Sequence, residues 1–254
     1  MLLAIDIGNT NTVAGVYDND ELRNHFRVAS NHKLTVDECG FFVTGLVERM
    51  QISCSEINRV IIASVVPALT PVYSKMAEKY FSVEPVVVSA EIDLPIKLDY
   101  ADPKEIGADR IANAVAAFAQ FGGPTIVVDF GTSTNFDVVT VEGIYLGGVI
   151  APGAETSGEN LAKKAARLFK VAIEKPDKAI GRSTAEAIKS GLFHGTIGQV
   201  DYIVSLIIEE LGSQPKVIAT GGLAPELAGH SKYISSICPT LTLDGLKLIA
   251  ASQS

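Results

Sequence analysis

Tryptophan is absent from the 254 residues, and cysteine occurs three times, at Cys39, Cys54 and Cys238, far apart and without paired spacing. This excludes a disulfide framework and a cysteine-rich zinc module, and it fits reduced thiols in a cytoplasmic protein. The histidines, His25, His32, His194 and His230, form no local ligand pattern. No block of basic residues stands out. The formal charge is −8, from 21 Lys and Arg against 29 Asp and Glu, so nucleic acid is not an expected partner. No run approaches the roughly 18 apolar residues that would suggest a membrane span. The apolar start of the chain ends at Asp6, too early for a signal sequence. A GxxxxGK[ST] sequence is missing, which excludes a P-loop nucleotide site. No stretch rich in Gly, Ser or Pro divides the chain, so a helix is expected to join its halves. What is abundant is apolar residues, 47% of the chain, enough for substantial cores and incompatible with disorder.

The most informative stretch is 1–17, MLLAIDIGNTNTVAGVY. An apolar strand runs into Asp6, a turn follows on Gly8, Asn9, Thr10 and Asn11, and residues 13–17 form an apolar return strand: a β-hairpin. Gly8 lets a ligand approach the backbone closely. Asn9, Thr10, Asn11 and Thr12 offer side-chain donors beside the backbone N–H groups. Asp6 can hold a metal ion or its bound water, so the tip suits the phosphates of a nucleotide carried with Mg²⁺. Turns favour Asp, Gly and Thr in any case, so one such hairpin decides little. The pattern recurs, however. Residues 124–128, PTIVV, lead to Asp129-Phe130-Gly131-Thr132-Ser133-Thr134-Asn135 and an apolar return. Asp6 and Asp129 are 123 residues apart, about half the chain. That period predicts two similar domains, with a nucleotide held in a cleft between them. An anionic ligand is compatible with an acidic chain, because local N–H groups and a metal outweigh the global field.

The elements read as strands over 1–5, 13–17 and 21–29, a helix over 35–50, a strand over 59–63, a helix over 67–81 and a strand over 84–88. This is a βββαβαβ order that the second half repeats, with strands over 124–129, 134–140, 143–150 and 216–220. The expected division is 1–120, including a connecting helix from 102, and 121–254. Asp102 is placed as that helix's N-cap, Pro103 at its first position and Glu105 in a capping box. Asp109 and Asn113 then share a face, Arg110 can clamp a carboxylate, and Gly107 suggests close ligand approach. Taken alone, the segment reads better as a solvated helix face than as a site. Ser183 and Glu186 start a long helix reaching 210, with Thr184 in its first turn. Gly191, Gly195 and Gly198 let another helix, including one from a second subunit, come close. Gly221 and Gly222 either receive a flat ligand or make a plain turn. Lys163, Lys164, Arg167 and Lys170 form a small basic cluster read as solvated.

With these segments assembled, the chain resembles the type III pantothenate kinases, of the acetate and sugar kinase, heat-shock and actin-like superfamily. DIGNTNTVAGVY at 6–17, GADRIANAVAA at 107–117, DFGTSTNFDVV at 129–139, GGVIAPG at 147–153 and STAEAIKSG at 183–191 carry the resemblance. It implies an α/β fold of two duplicated ribonuclease H-like (actin-like ATPase) domains. It also implies phosphorylation of pantothenate by MgATP to 4′-phosphopantothenate, the first step toward coenzyme A. Asp6, Ile7, Gly8, Asn9, Thr10, Asn11, Thr12, Val13 and Thr132 would bind ATP, with Asp6 near Mg²⁺, through water if not directly. Asp109 would be the general base. Tyr100, Gly107, Ala108, Asp109 and Arg110 would line the pantothenate site, and Thr184 would reach it from the second subunit of a homodimer. Asp129 would hold K⁺ or NH₄⁺. Where the family reads Thr-Ala-Thr-Thr, this chain has Thr132-Ser133-Thr134-Asn135 and keeps small polar character. Another small-molecule kinase of the superfamily, or a non-catalytic regulatory relative, is the competing reading.

Overall fold

The computed structural model describes residues 1–164 and 170–253; Arg167 of the basic cluster lies outside them. Leu2–Ile7 (β1) is apolar on both sides up to Asp6, as a strand covered on both faces must be. Asn11–Asp18 (β2) returns antiparallel to it, and Glu21–Ala29 (β3) follows at the sheet edge, where its charged side chains meet solvent. Val36–Arg49 (α1) is started by Thr35, whose hydroxyl and Glu38 form a reciprocal capping box. Arg59–Ser64 (β4) runs parallel to β1. Thr70–Met76 (α2) continues into a π-helical turn, Ala77–Phe81, and Val86–Val87 (β5) completes the order β3-β2-β1-β4-β5. The core on one face is built from Leu3, Ile5, Ile7, Val16, Val43 and Val47, among others.

A two-residue strand, Lys97–Leu98 (β6), precedes Ala108–Phe121 (α3). The second half then repeats the first. Thr125–Phe130 (β7), Ser133–Val139 (β8) and Ile144–Pro152 (β9) form an antiparallel meander. After Ala154–Lys164 (α4) and Thr184–Leu211 (α5), Lys216–Thr220 (β10) lies parallel to β7. Ala224–Leu227 (α6) leads to Ser236–Ile237 (β11), and Leu241–Ser252 (α7) ends the chain. Five of the six strands of the second sheet, in the order β9-β8-β7-β10-β11, match the first sheet element for element.

Two features differ from the sequence reading. The connecting helix does not begin at Asp102. Pro103–Glu105 is a separate 3₁₀ turn, capped by the Asp102 side chain on the Lys104 amide (3.1 Å), and Ile106 is extended. The helix starts at Ala108, with the Gly107 carbonyl accepting from the Ile111 amide at 3.1 Å. Nor does the last helix belong with the second half. The compact units are Met1–Ala116 with Leu241–Ser254, and Ala117–Thr240. Residues of α7 complete the first unit because its sheet has a second apolar face to cover. Leu243 packs where a Gly15 side chain would stand, Gly245 lies directly on the Ala112 backbone, and Asp244 accepts a hydrogen bond from the buried Tyr17 hydroxyl at 2.7 Å.

Candidate active site

In the first unit, side chains alternate across β1. Ile5 and Ile7 enter the core, so Asp6 between them points to the opposite face, at the carboxyl end of the strand. Asp6 pairs in register with Val13 on β2 and Ala63 on β4. The turn after it is tight: the Gly8 amide donates to the Asn11 carbonyl at 3.0 Å, and a side chain on Gly8 would press on that same oxygen. Asn9 and Thr10 are exposed at its tip. Thr12 is buried, as is Ile7, so these two positions offer a ligand backbone rather than side chain. The Thr12 hydroxyl lies 2.9 Å from that of Ser30 and is hydrogen-bonded to Tyr73, which also bonds Cys39. Burial pushes both the Tyr73 hydroxyl and the Cys39 thiol up to about 12, so this small network stays neutral.

β1 and β4 are parallel and end side by side, with the Val65 amide donating to the Ile7 carbonyl at 3.1 Å. Ligands of α/β sheets bind beyond such carboxyl ends. The start of α3 is brought to this place, since a side chain on Gly107 would touch Val65 and collide with Asp109 Oδ1. A glycine at 107 thus leaves the Asp109 carboxylate the place it occupies. Asp109 sits in the first turn of α3, its Oδ1 accepting from the Arg110 amide at 2.8 Å. Burial pushes its carboxyl above the ordinary 3.8, against the opposing pull of the Arg110 N–H and charge. A carboxylate raised in this way is a stronger proton acceptor than an exposed one. Arg110 itself is buried. Asn113, one turn on, is fully buried and accepts from the Thr242 hydroxyl at 2.8 Å, which makes it a structural residue. Tyr100 is half-buried in the segment leading to the 3₁₀ turn.

The second unit repeats the layout. Asp129, half-buried near the end of β7, is in register with Asn135 on β8 and Thr220 on β10. Glycines flank it: Gly131, and Gly221, which has φ +92° and whose side chain would collide with Asp129 Oδ1. That position therefore needs glycine for its own backbone. Asn135 accepts from the Ser133 hydroxyl at 2.8 Å. The exposed Thr132 has its carbonyl held by the Gly153 amide (3.2 Å) and the Thr156 hydroxyl (2.6 Å). Gly153 fits there because a side chain would strike the carbonyls of Gly131 and Thr132. Thr184 is exposed at the first position of α5, after the N-cap Ser183, whose hydroxyl accepts from the Glu186 amide at 3.2 Å. The Glu186 carboxylate reaches back to the Arg182 amide (2.7 Å), one residue earlier than in a standard capping box. By length and composition α5 is apolar enough to cross a membrane.

Sequence reasoning gave no bracing role to Ser30, His32, Gly153 or Thr156, all of which hold the two polar turns. Only the half-chain repeat hints at them, by marking both turns as places whose backbone must be held.

Two copies of one sheet order, each with an aspartate beside a polar hairpin turn, define the class: the duplicated ribonuclease H-like fold of actin-like ATPases and sugar kinases. Solved structures agree on that fold. The activator of 2-hydroxyisocaproyl-CoA dehydratase from Clostridium difficile superposes with a TM-score of 0.56 at 11% identity, over 99% of this chain and 94% of that one. A Campylobacter jejuni protein assigned to the Baf family of transcriptional activators gives 0.61 at 22% identity, over 99% and 98%. The family model for type III pantothenate kinase matches residues 2–206. A type III pantothenate kinase from Acidobacterium capsulatum is 46% identical over 261 aligned positions, covering 100% of this chain and 95% of that one. The chain belongs to the type III pantothenate kinases, enzymes that phosphorylate pantothenate in coenzyme A biosynthesis.

Proposed function

We propose that Asp109 is the general base of the pantothenate kinase reaction. The observation that carries this is its place: a carboxylate with a raised pKa, in the first turn of a helix that begins beside the carboxyl ends of β1 and β4. In this reading Asp109 takes the proton of the pantothenate 4′-hydroxyl as that oxygen attacks the γ-phosphorus of ATP. The bond to the β–γ bridging oxygen breaks, and ADP leaves. Residues 6–13 and Thr132 hold ATP. Tyr100, Gly107, Ala108 and Arg110 line the pantothenate site.

Asp6, half-buried at the head of the phosphate turn, suits a water-mediated contact to Mg²⁺ travelling with ATP. The metal would supply charge neutralisation at the phosphates. Asp129, flanked by Gly131 and Gly221 and in register with Asn135 and Thr220, suits K⁺ or NH₄⁺. The exposed side of α5 supports a homodimer. Space is open around Gly191, Gly195 and Gly198, while Tyr202 and Leu206 are 67% and 47% exposed on the same stripe. A second copy covering that stripe accounts for its apolar character without a membrane and brings a second Thr184 into play. The acidic charge and the three widely spaced cysteines support reading it as a cytoplasmic enzyme without nucleic-acid partners.

A coupled ADP-release assay tests the reading, run with pantothenate, with glucose and with no acceptor. Pantothenate alone should stimulate release. Stimulation by glucose instead, or ADP release indifferent to any acceptor, would overturn it.

A further inference from the structure

We propose that Ser30 is a positioning residue for nucleotide binding, acting through the backbone of the turn at residues 8–11; this rests on the reading of that turn as the ATP phosphate site. Ser30 follows β3 and lies far from the turn in sequence, yet the 30–32 segment holds three successive turn carbonyls. The Ser30 hydroxyl donates to the Gly8 carbonyl at 2.6 Å. The Ser30 amide donates to the Thr10 carbonyl at 2.9 Å. His32 Nε2 lies 3.4 Å from the Asn9 carbonyl, which can only accept.

A trans peptide unit carries its C=O and the following N–H on opposite sides. Fixing the Gly8 carbonyl against Ser30 therefore turns the Asn9 N–H the other way, toward the exposed tip. Successive N–H groups turned to one side form an anion-binding concavity. The hydroxyl cannot be replaced by a neighbour. Its single proton is committed to the Gly8 oxygen, so in their 2.9 Å contact it is the buried Thr12 hydroxyl that donates to Ser30. Removing the Ser30 oxygen frees the Gly8–Asn9 peptide to rotate. The β3–β2 ladder, which ends at Ala29 opposite Asn11, is left in place. The expected lesion is thus in the ordering of the phosphate site and not in the fold.

The experiment compares Ser30→Ala, Ser30→Cys, Ser30→Thr and Gly8→Ala by steady-state kinetics, nucleotide affinity measured without acceptor, and thermal melting. Ser30→Ala should raise the KM and Kd for MgATP about 5- to 10-fold, the worth of one backbone-orienting hydrogen bond. The KM for pantothenate and the Tm should stay near wild type. Ser30→Cys, similar in size but a weak donor, should behave like Ser30→Ala, and Ser30→Thr should restore ATP binding. Gly8→Ala separates the two ideas. If it weakens ATP binding while Ser30→Ala does not, the positioning role is wrong and the phosphate turn stands. If neither affects ATP, the phosphate-turn reading itself fails. Equal losses for both substrates together with a lowered Tm would make Ser30 a general structural residue and overturn the proposal.

Discussion

Asp109→Asn should lower activity and raise stability at the same time. The substitution conserves volume, and the retained Oδ1 still accepts from the Arg110 amide seen at 2.8 Å. It deletes a proton acceptor and a crowded negative charge. A general base contributes about 100- to 10,000-fold, or roughly 3–5 kcal/mol of transition-state stabilisation, so kcat should fall by that factor. The stability effect follows from the direction of the pKa. Burial is the largest influence on the Asp109 carboxyl and raises it above the ordinary 3.8. A folded-state pKa above the unfolded one favours the protonated form of the folded protein. The stabilisation is complete below the unfolded value and is lost as pH rises through the raised folded value. Near neutral pH the wild type therefore carries a cost that asparagine does not. Coupled ADP release at saturating MgATP and pantothenate measures kcat. Melting curves at about pH 8 and about pH 4 measure stability, with the variant melting above wild type at the higher pH and the gap closing at the lower. In wild type, kcat/KM should fall on acidification along a limb displaced above the usual carboxylate range. A kcat within about threefold of wild type would refute the base. A variant that melts below wild type at the higher pH would refute the burial argument.

Two further outcomes are expected. Activity should drop when K⁺ and NH₄⁺ are replaced by Tris and return on adding K⁺, and Asp129→Asn should abolish that response; indifference to both cations after their careful removal would count against the site. If each active site combines Asp109 of one subunit with Thr184 of the partner subunit, co-refolding Asp109→Asn with Thr184→Arg should restore about a quarter of wild-type activity, and mixed dimers shown to form but inactive would dispose of the shared site.

Much of this architecture can be read from local pattern. The unbroken apolar runs of β1 and β7 up to Asp6 and Asp129, the Asp-x-Gly turn after each and the 123-residue spacing are properties of short windows compared with one another, and they lead to two matching sheets. The start of α3 misleads because Asp102, Pro103 and Glu105 satisfy the rules for a helix start, and they do start one, a single 3₁₀ turn. It ends at Ile106, which is extended, and the next residue, Gly107, packs against Asp109 and against Val65 just beyond β4, a contact that no local window contains. Ser30 is illegible for the same reason: its partners, Gly8, Thr10 and Thr12, are neighbours only after β3 has paired with β2. Asp109 stands out because it follows a glycine before an apolar helix, but its raised pKa is a property of the packed protein alone.

The return of α7 to the first sheet sets an order of completion that runs against the order of synthesis. A ribosome releases the strands of the N-terminal unit first, yet the face bearing Ala4, Asp6 and Gly15 has to wait for Leu243, Gly245 and the Asp244 partner of Tyr17, near the chain's last residues. The unit Ala117–Thr240 is one continuous stretch, all of it made before α7. The half that is translated second is therefore the half able to finish first. A chain cut short by a single helix at its end would lose the cover of the sheet that carries Asp6 and its phosphate turn.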